Sequence, residues 1–298
     1  KYAGTAMANE IRVPEQCPDL WSAIQRSIGS SSHAPAGTVI RLAEGTWDLG
    51  ERPPLLIDCD GIRIVGSGID MTRLVRFDQM PKLQISGGAT NVVLESLSVG
   101  GESTGDGIAV LGSAILKLVN VEVTNNGGIG LHVSGGGTVH ATKCQVRHNA
   151  CTGVLVDGPH SACVLLDAEV EAFGTADGVV AMNGGFVELL GKTHISRGDG
   201  SSNNSSGVGL LAEGRGEIGS GGRIEIRTTS DLSSCERKKV NGGNIVVSEP
   251  PTRREVARRK FLPVAGEAGG GRDGGWRGRG KKYHLRSNYD WPSAHGGW

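Results

Sequence analysis

The sequence has few aromatic residues and few cysteines, and it lacks long apolar runs. Phenylalanine, tryptophan and tyrosine make up only 4% of the 298 residues, so a core must be built mainly from valine, isoleucine, leucine and alanine. These residues suit thin stacked layers better than a broad sandwich. No run of about 18 apolar residues occurs, which argues against a membrane-spanning helix and against a membrane partner.

The six cysteines form no Cys-x-x-Cys pair and no Cys/His cluster with zinc spacing. We therefore expect no metal site and no cofactor. The cysteine positions are Cys17, Cys59, Cys144, Cys151, Cys163 and Cys235.

Glycine is abundant, with 49 residues that do not follow the every-third spacing of collagen. Between residues 107 and 210 many of them begin a repeated word, glycine-apolar-x-apolar. The first residues of these words are Gly107, Gly128, Gly153, Gly178 and Gly207. The steps of about 21 to 29 residues are typical of a solenoid, in which each repeat forms one coil.

The net charge of zero hides two regions of different character. Residues 249–298 contain 11 Lys and Arg against 5 Asp and Glu, and they are rich in glycine. We predict that this segment is a disordered basic tail, because it offers too little apolar surface for a core. Its basic and aromatic residues between 272 and 286 suit weak nucleic-acid binding, and a solubilising role is the alternative.

Residues 1–16 carry little signal and are interpreted as an N-terminal extension of a β-helix that covers residues 17–248. Residues 18–28 are predicted to form an amphipathic helix, with Leu20, Trp21, Ile24 and Ile28 on one face. Such a helix can cover the open end of a solenoid core. Short alternating strands follow at 38–47, 55–57, 62–65 and 72–75.

The order of this helix, "GTVIRLAEGTW", "IRIVGSGIDMTRL" and glycine-punctuated coils resembles the opening of right-handed parallel β-helix proteins of the pectin-lyase-like superfamily. The resemblance covers roughly residues 18–226. It implies an all-β, right-handed parallel β-helix. It also implies the functions found in that superfamily: carbohydrate binding, sugar hydrolysis and substrate recognition in F-box receptors.

A second strand can be aligned within the repeats, over residues 116–123, 139–146, 163–170 and 188–195. Its first, third, sixth and eighth positions are mostly apolar, which predicts a bend between the fourth and fifth. The fifth position reads Asn120, Lys143, Asp167 and Lys192, and the seventh reads Glu122, Gln145, Glu169 and His194. We interpret these stacks as structural ladders first. In the functional alternative, Lys143, Asp167, Lys192, Glu169 and His194 bind a ligand.

The glycine-anchored strand suggests a different pair. His132 and Asp157 fall at the same outward position of adjacent coils, about 5 Å apart in such a stack. An imidazole beside a carboxylate can perform acid–base chemistry, and a surface ion pair is the alternative. Asp106 and Asp177 share the position before the anchoring glycine, three coils apart, and are interpreted as turn residues.

The catalytic sequence motifs of the polygalacturonases and mannuronan epimerases in that superfamily are absent from this sequence. We therefore expect a monomeric, non-catalytic recognition module that binds a carbohydrate polymer or a protein. The alternatives are a polysaccharide lyase, hydrolase or epimerase, and the recognition part of an F-box-like receptor. The sequence leaves the cellular compartment open.

Overall fold

The computed structural model describes residues 10–28, 37–50, 53–173, 176–197, 209–213, 222–228, 237–240 and 243–248. All of them lie in the first of the two units into which the chain divides, Lys1–Val256. The predicted tail, at 249–298, lies outside the described residues. No helix of the described part is long and apolar enough to cross a membrane.

The elements before the central coils are eight strands and one helix. They are β1 (Glu10–Val13), α1 (Leu20–Ile28), β2 (Thr38–Leu42), β3 (Gly45–Asp48), β4 (Leu55–Ile57), β5 (Ile62–Val65), β6 (Thr72–Val75), β7 (Leu83–Ile85) and β8 (Val92–Ser103). The predicted strand at 38–47 is divided into β2 and β3. Strand β1 was not predicted, and it pairs in parallel with β2.

The central and C-terminal coils continue this order. They contain β9 (Ile108–Leu111), β10 (Ile115–Asn126), β11 (Leu131–Ser134), β12 (Thr138–Thr142), β13 (Gln145–Arg147), β14 (Val154–Asp157), β15 (Ala162–Leu166), β16 (Glu169–Ala172), β17 (Val179–Met182), β18 (Phe186–Gly191), β19 (His194–Arg197), β20 (Leu210–Glu213), β21 (Arg223–Thr228), β22 (Arg237–Val240) and β23 (Asn244–Val247).

These strands form two parallel sheets that enclose one apolar core. Sheet A has 15 strands in two arms, which join where β8 and β10 pass through a bend. The first arm runs from β1 to β23, and the second arm contains β3, β6, the C-terminal halves of β8 and β10, β13, β16 and β19. Sheet B has eight strands, from β4 to β22. Apart from β1 and β2, the paired strands are not consecutive in the chain, so each coil from β2 to β20 contributes a strand segment to each of the three surfaces, as a parallel β-helix requires.

Helix α1 contacts β1 and β2 and buries Leu20, Ala23 and Ile24. The carboxylate of Asp19 accepts a hydrogen bond from the backbone N–H of Ser22 at 2.6 Å, which caps the first turn. The predicted helix at the N-terminal end of the coils is therefore confirmed.

The predicted bend is also confirmed, and its cause is a left-handed backbone. Asn120, Lys143 and Asp167 have φ values of 53°, 55° and 52°. In the next coil the left-handed residue is Gly191, with φ 62°, and not Lys192. The stack of Asn120, Lys143, Asp167 and Lys192 is therefore wrong in its last member, because β18 is displaced by one residue and Val187, not Glu188, pairs with Cys163.

Candidate functional site

The outer surfaces of the two arms and of sheet B differ in polarity. Sheet B presents a mainly apolar row, and the first arm mixes apolar, polar and charged residues. The row on sheet B runs Leu56, Gln84, Ala109, His132, Leu155, Val180 and Leu211. The row on the second arm is polar at every position: Thr46, Arg73, Ser98, Glu122, Gln145, Glu169 and His194. We call this second row the polar ladder.

The ladder confirms the predicted seventh position, where Glu122, Gln145, Glu169 and His194 stack on successive coils. Glu122 is almost fully buried, although it occupies an outward position. Its carboxylate accepts a hydrogen bond from Arg147 Nε at 2.7 Å. Arg147 and its partner were not among the predicted binding residues, because the sequence pattern shows polarity but not which side chains meet.

The other predicted binding residues border the ladder at the bend between the two arms. Lys143 and Lys192 have exposed side chains, and Asp167 is half-buried between them. The carboxylate of Asp167 accepts the backbone N–H of Lys192 at 2.9 Å, so it closes a turn. Glu169 and His194 are exposed on the ladder itself. The structure thus places all five predicted residues at one flank of the second arm, although Lys192 lies outside its predicted stack.

The predicted pairing of His132 with Asp157 is wrong. His132 pairs in register with Leu155, and Asp157 pairs with Ser134. The word glycine-apolar-x-apolar fits both Gly128 and Gly130, and the coil register uses Gly130, which moves the strand by two residues. The carboxylate of Asp157 instead accepts a hydrogen bond from the side-chain amide of Asn183 at 2.6 Å.

The structure pairs His132 with Asp106. His132 Nδ1 lies 3.5 Å from Asp106 Oδ2, and both side chains are about one-quarter exposed. The other oxygen, Asp106 Oδ1, accepts the backbone N–H of Ile129 at 2.8 Å. Asp106 was interpreted as a turn residue, and this hydrogen bond agrees with that role. The contact with His132 was not predicted, because it depends on a coil length that the repeated word leaves ambiguous.

A buried lysine lies behind this pair. Lys82 is completely buried and its ammonium donates a hydrogen bond to the Gly105 carbonyl at 3.3 Å. Burial lowers the pKa of Lys82 to about 8, although the charges of Asp106 and Asp78 oppose the shift. Asp78 forms an ion pair with the buried Arg76, which holds the pKa of that carboxyl below its usual range. Lys82, Asp106 and His132 are therefore a second candidate site, with an acid–base character.

Among the residues that the structure describes, no group of three or more His, Cys, Asp and Glu is arranged to hold a metal ion. Cys144 and Cys163 are buried in the core. Burial raises the pKa of both thiols, that of Cys144 to about 11. Cys144 therefore behaves as the small apolar core residue that its inward repeat position predicts.

No family model matches this chain, and no curated protein sequence matches it. The solved structures that are similar to it at low sequence identity include two pectin methylesterases. Pectin methylesterase PemA from Erwinia chrysanthemi is 10% identical, with a TM-score of 0.52, and the match covers 89% of this chain and 98% of that one. A mutant pectin methylesterase in complex with hexasaccharide IV is also 10% identical, with a TM-score of 0.50 and coverage of 90% and 99%. These likenesses show the fold, the right-handed parallel β-helix that the pectin-lyase-like resemblance implies.

Proposed function

We propose that this chain binds a carbohydrate polymer along the outer surface of the second arm. The observation that carries the proposal is the polar ladder, which places a polar side chain on each of seven successive coils, with Gln145, Glu169 and His194 accessible on three consecutive coils. A sugar polymer carries hydroxyl groups at regular intervals, so repeated donors and acceptors along a rigid solenoid suit it. The solved neighbour in complex with a hexasaccharide supports the choice of ligand class at the level of the fold.

Solvent exposure identifies the ladder residues that can contact a ligand. Gln145 is half-buried, and Glu169 and His194 are exposed. In contrast, Glu122 is already engaged by Arg147. Thr46 and Arg73 are exposed as well, but the buried Ser98 and Glu122 separate them from the other accessible residues. Gln145, Glu169 and His194 therefore form the longest continuous accessible run of the ladder, beside Lys143 and Lys192 at the bend.

Calorimetry with hexasaccharides of galacturonate, mannuronate and glucose tests this proposal. Replacing Gln145, Glu169 and His194 together by alanine should weaken binding by 10-fold to 100-fold, since each lost hydrogen bond contributes roughly 1 kcal/mol. The control replaces Thr138 and Thr142 of the first arm, both half-buried, by alanine, and should change affinity less than twofold. A wild-type chain that retains none of these sugars but captures a specific protein would replace the glycan with a protein partner.

The pair of Asp106 and His132 supports a second candidate, a polysaccharide-modifying enzyme. A histidine oriented by a carboxylate, which is itself held by a backbone N–H, can transfer a proton to or from a sugar substrate. Purified protein should then release reducing or unsaturated ends from pectin or alginate, with or without calcium. His132→Gln and Asp106→Asn should abolish that release, whereas Asp157→Asn should not. No release of ends from any of these polymers would exclude a lyase or a hydrolase.

A further inference from the structure

A ring pair lies at the edge of the second arm, where β16 ends. Phe173 directly follows β16, and 38% of its surface is exposed. Its ring packs against that of His148 in a perpendicular arrangement, with 5.5 Å between centroids and 83° between the planes. His148 lies one coil earlier, directly after β13, and its side chain is 43% exposed.

A carboxylate completes this arrangement. Glu171 of β16 lies two residues before Phe173, and its Oε2 is 3.5 Å from His148 Nε2. The Glu171 side chain is only 15% exposed, so the carboxylate is partly shielded from water while the imidazole stays accessible. We call Phe173, His148 and Glu171 the aromatic corner. It combines an exposed apolar ring with a donor and an acceptor on the same edge.

An exposed aromatic residue alone indicates little, because single apolar side chains are common on protein surfaces. Phe77 illustrates this, since it is 65% exposed and also follows a strand of the second arm. The charged residues on either side of Phe77, Arg76 and Asp78, are paired with each other. Phe173 differs because its neighbours place polar groups beside the ring on the same surface as the ladder.

We propose that the aromatic corner is a subsite for one pyranose unit of the polymer. The apolar C–H face of a pyranose ring would lie on Phe173, and its hydroxyl groups would bond to His148 and Glu171. The ladder would bind the adjacent units, since Glu171 and the ladder residue Glu169 project from the same strand, two residues apart. This inference rests on the proposed function, and it names the position on the second arm that contributes most to affinity.

We expect Phe173 to dominate because the contacts in a binding surface contribute unequally to affinity. Hydrogen bonds to sugar hydroxyls replace bonds to water, and their net gain is small. Covering an aromatic ring with an apolar surface adds a hydrophobic gain without such an exchange. Aromatic side chains are therefore enriched among the residues that dominate affinity in binding interfaces.

The test compares two matched truncations in the full chain, with the same three hexasaccharides and calorimetry. Phe173→Ala should weaken binding about tenfold, whereas Phe77→Ala should change it less than twofold. Phe173→Trp should keep the affinity within about threefold, because a larger ring preserves the stacking surface. His148→Ala should also weaken binding, by about three- to tenfold. Thermal unfolding of each variant shows whether the fold is kept.

The outcomes separate this inference from the proposed function. Equal affinity of wild type and Phe173→Ala, together with weaker binding by the variant of the three ladder residues, would overturn the aromatic corner and leave the ladder as the site. Equal weakening by Phe77→Ala and Phe173→Ala would also overturn it, because the effect would then not depend on the polar neighbours. Absence of binding by the wild-type chain would overturn both proposals.

Discussion

At the scale of single residues, burial and charge act against each other around Lys82. The side chain is completely buried, and its hydrogen bond to Gly105 does not compensate fully for the lost hydration, so burial lowers its pKa to about 8. The nearby carboxylate of Asp106 has other contacts, with the N–H of Ile129 and with His132. The Gly105 carbonyl also accepts the backbone N–H of Gly128. The Gly105 carbonyl and the Asp106 carboxylate therefore keep these other contacts when the ammonium is removed.

Replacing Lys82 by methionine should stabilise the protein at neutral pH by about 1–3 kcal/mol, since one pKa unit corresponds to about 1.4 kcal/mol. The ordinary pKa of lysine is 10.5. Between about pH 8 and 10.5 the unfolded chain holds a proton that the folded chain has released, so wild-type stability should rise with pH in that window. In Lys82→Met this rise should disappear.

Denaturant unfolding at several pH values between 7 and 10.5 measures this effect. The exposed Lys117, replaced by methionine, is the control and should leave the pH dependence unchanged. If the free energy of unfolding changed with pH in the same way in wild type and in Lys82→Met, burial of the Lys82 ammonium would not lower stability as proposed.

At the scale of the elements, side chains at the coil corners connect one turn of the helix to the next. Asn126 ends β10, and Asn149 occupies the corresponding corner one coil later. Asn149 Oδ1 accepts hydrogen bonds from the backbone N–H and from the side-chain amide of Asn126, at 3.2 and 2.9 Å. Its own amide donates to the Val123 carbonyl at 3.2 Å. These bonds join the two corner asparagines of adjacent coils.

Replacing Asn149 by alanine should destabilise the protein by about 2–4 kcal/mol, because the change removes three buried hydrogen bonds and leaves their partners unsatisfied. The neighbouring corner residue Asn125 provides the control. It is exposed, with φ 54°, and Asn125→Gly keeps that conformation accessible. Its stability should stay within about 1 kcal/mol of wild type. Chemical denaturation of both variants measures the difference, and equal effects would contradict the structural role of the Asn126–Asn149 pair.

At the scale of the whole described β-helix, the spacing of the coils defines a binding surface with a fixed period. Parallel strands lie about 4.8 Å apart, so the seven positions of the polar ladder span about 29 Å, of which the continuous accessible run from Gln145 to His194 covers about 10 Å. A ligand that binds this surface must be extended, and each added unit meets another coil. A small, isolated pocket would instead be filled by one or two units.

If the polar ladder binds a sugar polymer, affinity should increase with oligosaccharide length and then level off when the accessible run from Gln145 to His194 and the aromatic corner are covered. We expect each added unit between dimer and tetramer to strengthen binding by about two- to tenfold, since it adds one or two hydrogen bonds. Calorimetry with a series from dimer to octamer of the sugar that binds best measures this increase. Constant affinity from the dimer onward would contradict an extended site and favour a local one.

The sequence by itself determined the fold class, the N-terminal helix and the bend, because glycine spacing and alternating apolar residues depend on local backbone geometry and on burial. It also identified the stack that ends in Glu169 and His194. Each of these residues directly precedes an inward apolar residue, Val170 or Ile195, and these apolar residues align adjacent coils. Residues 249–298, interpreted as a tail, remain a prediction.

Only the tertiary structure decided which side chains meet across coils. The step from Gly107 to the next equivalent glycine is 23 residues rather than 21, and this difference pairs His132 with Asp106 instead of placing it beside Asp157. The one-residue displacement of β18 likewise removes Lys192 from its predicted stack. The aromatic corner joins residues 25 positions apart in the sequence. Its contacts follow from the length of a complete coil, which includes turns whose conformation the repeated pattern does not specify.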